Sequence, residues 1–492
     1  MNTSFRGLGR DALVYGLVGA AGQSIEILLL PVYSRVFPPE QYGVIEIIAA
    51  TVMVTSLLLG LQIDSGMARH YHEVEDEEER GRLLASGMAV LALVALAGTA
   101  AAVAGAPWLA QALTGQDRHA VPLMLGLAVI PFQLVFTYWL FVFRLERSRR
   151  LYAVFQLAWT VLALALSVLF VVGLDWGLAG VFGAKLAAVV VVTGGLIPWI
   201  VPRMELEPSR SAVREILRYG VPLTPSSLSG WAQRYVDRYF IVGGIGLPQL
   251  GVYAVAMQVS SAVRLLNKSF RLAWVPFMMA VVGTEEDRDK YRRALNYYLT
   301  VAVAAGGLVA LWSSELVGIL APETYRGAAS LVGILVAGWI GRGAFSVTGA
   351  GVAASKRTIF TTVAFGLGLA VNVVGLVLLI PRFELFGAAL AFLAGFTVAA
   401  GMAFVFSRRL YDQRVDTGRV GGLTLAYASV YLLSLGIGAA ELSAGGAVAA
   451  RLGLTVVLLA AVPIIGLSGS ERRRLRAELR AFLADRAGGS SR

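Results

Sequence analysis

The chain is a succession of long apolar runs separated by short polar stretches. Fourteen runs are counted, at about 12–33, 42–62, 83–105, 119–143, 153–173, 178–201, 219–243, 250–280, 294–316, 328–353, 359–380, 385–406, 421–440 and 446–467. A helix rises about 1.5 Å per residue, so roughly 20 apolar residues cross the ~30 Å of hydrocarbon in a bilayer. The runs lack the ten-residue alternation of membrane β-strands, and their length predicts helices. The expected fold is an all-α polytopic membrane protein with 14 transmembrane helices. The seventh, eighth and tenth runs stand apart because they carry charges.

The polar positions between the runs give the chain a direction. With the N-terminus inside, thirty of the 42 lysines and arginines fall in inner loops and tails. Only Arg35, Arg118, Arg326, Arg382 and Arg451 fall in outer loops. One missed helix would scramble that alternation, so both termini are expected in the cytoplasm. The first run has no small-residue cleavage site and reads as a retained span. The tail SERRRLRAELRAFLADR puts Leu475, Leu479, Phe482 and Leu483 on one helical face among arginines. It predicts an amphipathic helix on the inner leaflet.

An internal repeat organises the runs. Residues 41–44 read QYGV and 249–252 read QLGV, while 77–80 read EEER and 285–288 read EEDR. Both pairs lie 208 residues apart, and each QxGV opens an even-numbered run. Six helices separate the copies, so the repeats run parallel, an arrangement found in transporters with a site between the halves. The expected division is a six-helix bundle over 1–205, a second over 206–410, two further helices over 411–468 and a cytoplasmic tail over 469–492.

Composition narrows the function classes. The chain is 57% hydrophobic and 15% charged, against about 45–50% and about 25% in soluble domains. It has no cysteine, which excludes disulfides, thiolate metal sites and thiol nucleophiles. The formal charge of +11 reflects topology and contact with anionic lipids, and nucleic acid is not needed to explain it. No GxxxxGK[ST] loop is present, so no ATPase is built in. His70 and His72 diverge on a helix and no HExxH occurs, so no metal is expected. Asp287 and Asp289 form a DxD in a short charged loop with no nucleotide fold around it, and no cofactor is expected.

What remains is a set of ionisable residues at membrane depth, which are costly and usually face a cavity, a partner or an interface. In WAQRYVDRYFIVGG, Arg234, Asp237 and Arg238 share one helical face. In SSAVRLLNKSFRLAWVPFMMA, Arg264, Lys268 and Arg271 recur at i, i+4 and i+7, within about 60° of arc. These three either line a water-filled cavity or snorkel to inner headgroups. Arg342 sits mid-run in GWIGRGAFS. Arg234, Arg238, Arg264, Lys268, Arg271 and Arg342 together predict a cationic cavity for a phosphate or diphosphate headgroup, because guanidinium forks match phosphate oxygens. Trp231, Tyr235, Tyr239 and Trp274 lie near them, where rings stack on sugars or line the membrane interface. Glu26, Glu46, Asp64 and Asp237 are candidates for ion coupling or gating.

The opening LLLPVYSRVFPPEQYGVIEIIAATVMVTSLLLGLQIDSGMARHYHE resembles the polysaccharide or oligosaccharide flippases, the Wzx type of the multidrug/oligosaccharidyl-lipid/polysaccharide (MOP) exporter superfamily. Pro31, Tyr33 and Arg35, then Pro39, Glu40, Tyr42 and Gly43, then Gly60 and Leu61, and Arg69 with Tyr71 carry the likeness. VDRYFIVGGIGLPQLGVYAVAMQV resembles the seventh–eighth hairpin of that family, in Asp237, Arg238, Gly251, Tyr253 and Ala254. The resemblance covers the whole chain in topology and these two regions in sequence. It implies two six-helix bundles forming a V, two extra C-terminal helices, and a gating motif in Arg35, Tyr42 and Gly43.

It also implies an activity: export of an undecaprenyl-diphosphate-linked oligosaccharide, of the surface-polysaccharide or O-antigen type. The substrate would pass from the inner to the outer leaflet of the bacterial cytoplasmic membrane by alternating access, with no enzymatic step. Coupling to a proton or sodium gradient or to the membrane potential is expected, as are a monomeric state and polysaccharide polymerase or assembly proteins as partners. The last two helices would flank a groove for the prenyl tail. Lipid II flippases of the MurJ type share the architecture but carry cations in their first helices, where this chain has Glu26. Drug exporters of the superfamily have twelve spans and acidic pockets. Both stand as alternatives.

Overall fold

The computed structural model describes residues 25–205, 207–284, 287–357, 359–440 and 443–473. Among the described residues every regular element is helical. In hydrocarbon an unpaired backbone group costs several kcal/mol, so each apolar run must satisfy its own amides and does so as a helix. Ten helices among the described residues are long and apolar enough to cross a membrane. One of them, Ile359–Tyr411, runs 53 residues and reverses at Glu384, whose φ is 49°. Past that bend, Gly387 lies against the Leu379 carbonyl and Gly395 against that of Gly368, so two crossings pack as a close hairpin. The first apolar run is described only from Ile25.

The described chain forms two compact units. The first takes the residues up to Gln258 together with Ile319–Arg326 and Val373–Ala388. It is built from α1 (Ile25–Val36), α2 (Pro39–Gly60), α3 (Ile63–Tyr71), α4 (Glu77–Ala104), α5 (Ala106–Thr114), α6 (Ala120–Leu145), α7 (Arg149–Val168), α8 (Gly177–Ile200), α9 (Arg210–Gly220), α10 (Thr224–Ile245) and most of α11 (Leu247–Ser260). Its core is aromatic and aliphatic, with Met67, Phe136, Trp139, Val142, Phe143 and Leu196 in one buried cluster. The second unit takes Val259–Gly318, Gly327–Asn372 and the residues from Ala389 onward. It contains α12 (Ala262–Val281), α13 (Asp287–Leu311), most of α14 (Ser313–Leu320), α15 (Ala328–Thr348), α16 (Ala350–Ala354), both ends of α17 (Ile359–Tyr411), α18 (Thr417–Ala439) and α19 (Ala444–Gly466).

Three local features depart from the apolar pattern. The eighth run, expected as one helix over 250–280, breaks at Ser261 into α11 and α12. The neighbouring Ser260 hydroxyl accepts the Trp339 indole N–H at 3.1 Å, which anchors the break. The second run continues beyond 62, but Leu61 and Gln62 both take left-handed backbone angles, with φ of 46° and 53°. Finally, RSAVREILRYG between the sixth and seventh runs folds as α9, with Ser209 accepting the Ala212 amide at its start and Ile216 buried. Gly66 of α3 lies against the Ile216 carbonyl, and Gly220 against the carbonyls of Leu61 and Gln62. The backbones touch there because neither glycine has a Cβ.

A second glycine contact joins the two QxGV turns. A Cβ on Gly43 would overlap the Leu247 carbonyl, and a Cβ on Gly251 would overlap that of Pro39. The first residue of α2 thus meets the glycine in α11, and the first residue of α11 meets the glycine in α2. The rest of that end is stitched by side chains. Ser34 donates to the Leu320 carbonyl at 2.9 Å, Arg35 to those of Ile319 and Pro31 at 2.9 and 2.8 Å, and Tyr325 to that of Phe37 at 2.7 Å. The terminal carbonyls of α14, which lack intrahelical donors, are capped in this way, as is that of Phe37 just past α1. Tyr42 lies edge-on to Tyr325 with ring centroids 6.0 Å apart.

Of the tail, only residues up to 473 are described, so the apolar face from Leu475 to Leu483 lies outside the described residues. Its start is a capping box: Ser468 N–H donates to Glu471 at 2.7 Å, and the Glu471 amide donates to the Ser468 hydroxyl at 3.3 Å. Burial pushes the Glu471 carboxyl up. Hydrogen bonds from Ser468 and Tyr297, with the charge of Arg419, outweigh it and hold the carboxyl below its usual range.

Two expectations follow. Gly43→Val and Gly251→Val each cost about 1–3 kcal/mol, and the double variant costs less than their sum because both open one crossing. Thermal unfolding of the four purified proteins measures the cycle. The depressed Glu471 carboxyl contributes stability above the unfolded carboxylate pKa and loses it as pH falls through the lower folded value. Glu471→Gln is therefore less stable than the parent by about 1 kcal/mol at pH 7, and the two unfolding midpoints converge on acidification.

Candidate functional site

The first unit gathers charge around α10. Asp237 and Arg238 are 2% and 5% exposed. Arg238 Nη1 donates to Asp237 Oδ1 at 2.7 Å and to the Arg234 carbonyl at 2.9 Å, and its Nε lies 3.7 Å from Glu46 Oε2. Tyr253 donates to the other Asp237 oxygen at 2.7 Å. Helical spacing left Asp237 able to pair with either arginine; the structure pairs it with Arg238 and adds Glu46 from α2. Arg234 is half-buried and lies over the Tyr235 ring, 5.0 Å from its centroid, while Arg238 lies 4.8 Å over the same ring. Trp231 stacks on Tyr235 at 6.2 Å, and Tyr239 shares a hydrogen bond with Thr51 at 2.9 Å.

The second unit presents cations on rings. Arg264 and Lys268 of α12 are half-buried and Arg271 is exposed. Arg264 lies 6.0 Å over Trp339; Trp339 stacks on Phe396 at 6.2 Å; Arg342 lies 5.3 Å over Phe396 and 5.7 Å over Phe365. Arg264 and Arg342, 78 residues apart, thus stand on one aromatic stack. Arg264 has no carboxylate within ion-pair distance among the described residues. A ring face attracts a cation by about 0.5–2 kcal/mol, and the guanidinium fork remains open to an anion.

Side-chain hydrogen bonds set the register that makes this stack. Asn267 donates to the Trp339 carbonyl at 2.7 Å, and Tyr298 donates to Asn267 Oδ1 and the Ile340 carbonyl, both at 2.9 Å. Trp274 donates to the Ser346 carbonyl at 3.0 Å, so it is buried by a structural bond. Gly343 follows Arg342 because a Cβ there would overlap the Tyr298 hydroxyl. Asn267, Tyr298, Trp339, Phe365 and Phe396 carry this arrangement and were not singled out by sequence. The available signal was Asn267 itself, an amide inside an apolar run between two of the cations.

Beside the stack, an apolar cavity of about 340 Å³ opens among α13, α15, α17 and α18, lined by Leu299, Val303, Ile340, Leu393, Phe404 and Tyr427, with Gly341 and Ala344 flanking Arg342. The remaining candidates lie elsewhere. Arg35, Tyr42 and Gly43 all sit at the stitched end described above, and Asp64 lies at the break between α2 and α3. Glu26 belongs to α1, but its side chain falls outside the described residues. Among the described residues no three His, Asp or Glu side chains group as metal ligands.

The fold and these cations define a multi-pass helical membrane protein of a transporter class. Solved structures agree. The lipid II flippase MurJ in an inward closed conformation superposes with a TM-score of 0.71 at 11% identity, over 92% of this chain and 98% of that one. An inward-facing multidrug resistance MATE family transporter of the MOP superfamily gives 0.63 at 16% identity, over 79% and 94%. A MOP superfamily transporter from Pyrococcus furiosus gives 0.60 at 16% identity, over 84% and 96%. These likenesses concern the fold alone. No curated protein matches the chain by sequence. The model of the family described as polysaccharide biosynthesis protein does match, over residues 8–282. The chain belongs to that family, the Wzx-like flippases.

The buried pair makes a testable claim about the scaffold. Arg238→Met leaves Asp237 buried beside Glu46 without its cation and costs about 3–5 kcal/mol. Adding Asp237→Asn recovers most of that loss. Equal unfolding midpoints for the single and double variants would show that the two side chains do not act as a pair.

Proposed function

We propose that the protein flips an undecaprenyl-diphosphate-linked oligosaccharide from the inner to the outer leaflet of the bacterial cytoplasmic membrane by alternating access, with both termini cytoplasmic. The observation that carries this reading is the aromatic stack holding Arg264 and Arg342 on helices of a polysaccharide biosynthesis protein. A diphosphate presents oxygens that guanidinium forks bind by charge-assisted hydrogen bonds. Lys268 adds a point charge half-buried on the same helix as Arg264. The apolar cavity on the face of α15 that carries Ile340, Gly341 and Ala344 suits an isoprenoid chain, which supports a lipid-linked substrate over a water-soluble drug. Arg234 reinforces the anion-binding character of α10. The exposed Arg271 reaches the inner headgroups.

On this reading the stitched end around Gly43 and Gly251 is the outer closure, and the family's Arg35, Tyr42 and Gly43 belong to it. Glu46 and Asp237 neutralise Arg238 just beneath it. No residue set for covalent chemistry is invoked, and the driving force is an ion gradient or the membrane potential, which is worth about 2.3 kcal/mol per charge per 100 mV.

The test uses full-length protein in cells lacking their own flippase. Arg342→Ala, and Arg264→Ala with Lys268→Ala, reduce surface polysaccharide about tenfold or more, since each charge-assisted contact is worth about 1.5–3 kcal/mol. The lipid-linked precursor accumulates in the inner leaflet. Normal surface polysaccharide from stably inserted variants overturns the cationic site. Rescue of cells depleted of their lipid II flippase would assign the peptidoglycan precursor as substrate. Drug resistance that ignores the arginines and depends on Glu26 would assign an exporter.

A further inference from the structure

The break between α2 and α3 is costly for the backbone. Two consecutive non-glycine residues, Leu61 and Gln62, hold left-handed angles, at a cost of about 1–3 kcal/mol each. An uninterrupted helix through 39–71 would avoid that cost. The last carbonyls of α2 lose their intrahelical donors at such a break. Beside it lies a cavity of about 270 Å³ lined by Ser56, Gly60, Gln62, Asp64, Thr137 and Tyr138, among others. Asp64 is half-buried and has no ion pair or hydrogen bond among the described residues. The Thr137 hydroxyl donates to the carbonyls of Gln133 and Leu134 at 2.8 and 3.1 Å, so its oxygen lone pairs are left for another partner. No lysine, arginine or histidine lines the cavity.

We propose that this cavity is a binding site for a monovalent alkali cation, Na⁺, held by the Asp64 carboxylate with the side-chain oxygens of Gln62, Ser56 and Thr137. The ligand set is all oxygen, which selects a hard cation. One carboxylate among neutral oxygens balances a single positive charge, whereas Ca²⁺ and Mg²⁺ sites recruit more anionic ligands or phosphates. Broken helices with carbonyls freed at membrane depth are where transporters hold coupling ions. The inference rests on the transport reading for its purpose, since it supplies that reading with a coupling ion at Asp64. Occupancy also has a route outward, because the carbonyls of Leu61 and Gln62 lie against Gly220 of α9.

The experiment is binding to the purified full-length protein in lipid nanodiscs, without any glycan substrate. At constant ionic strength and pH 7.5, replacing K⁺ by Na⁺ raises the unfolding midpoint by about 2–4 °C, as a ligand in excess of its Kd does. Asp64→Asn abolishes the Na⁺-dependent shift while unfolding cooperatively in K⁺. Thr137→Val, which keeps the shape of the side chain, raises the Na⁺ concentration for half the shift about tenfold, the loss of one oxygen ligand. Equal midpoints in Na⁺ and K⁺ overturn the site, as does a Na⁺ shift that survives Asp64→Asn. If Asp64→Asn does not fold, an unchanged Na⁺ response in Thr137→Val overturns it. A response to pH alone, with no preference for Na⁺, also rejects the cation and leaves a proton site. Because no glycan is present, the result stands or falls separately from the flippase reading.

Discussion

A guanidinium at membrane depth has to be matched by a carboxylate, backed by a ring or reached by water, and the two units resolve that constraint differently. In the first, Arg238 is matched: Asp237 and Glu46 face it and Tyr253 completes the Asp237 shell. Removing one partner of a buried pair strands the other charge, so this group is costly to break. In the second, Arg264 is backed by the Trp339 ring. A ring face orients a cation but supplies no counter-charge. The first arrangement is scaffold and the second is suited to bind an anion, although both came from the same sequence signal of arginines inside apolar runs.

The glycines explain how such long helices are held at fixed positions. In lipid the hydrophobic effect does not drive helix against helix, and close approach of small residues takes its place. Gly43 with Gly251, and Gly66 with Gly220, bring carbonyls of a neighbouring helix where a Cβ would stand. Such contacts tolerate no side chain, which fixes the crossing point along both helices. The two QxGV turns are therefore more than a repeated phrase: each supplies the glycine into which the first residue of the other helix packs.

The helical fold was legible because the bilayer leaves an apolar run little alternative, and the 208-residue spacing of the turns was legible as text. The ion network was not. Glu46 and Arg238 are 192 residues apart, and helical spacing reports only neighbours on one helix. The stripe Arg264, Lys268 and Arg271 was legible as a stripe but not in depth. Depth follows from the bonds of Asn267 and Trp274 to α15, which turn Arg264 toward Trp339 and leave Arg271 exposed. Helix α9 escaped because its polarity reads as a loop; its structure depends on burying Ile216 against Gly66. Arg35 was legible as a motif residue, while its work, capping Ile319 nearly 300 residues away, was not.

These contacts bear on how the first unit transmits a change. α2 and the break that follows it touch the stretch from α9 to α10 along its length: Glu46 meets Arg238, Thr51 shares a hydrogen bond with Tyr239, and Leu61–Gln62 lie against Gly220. The outermost of these, Glu46 and Leu61, lie 15 residues apart in the chain, about 22 Å at the rise of a helix. A body held at both ends responds to a change at either. The strained break then sits at one clamp, and the buried ion pair, next to the glycine crossing of α2 and α11, sits at the other. Gly220, which the Leu61 and Gln62 carbonyls touch, is followed by the short turn at 221–223 and then by α10, the helix that bears Arg234, Asp237 and Arg238. The strained break and the charges on α10 are thus joined by one continuous set of backbone contacts within the first unit.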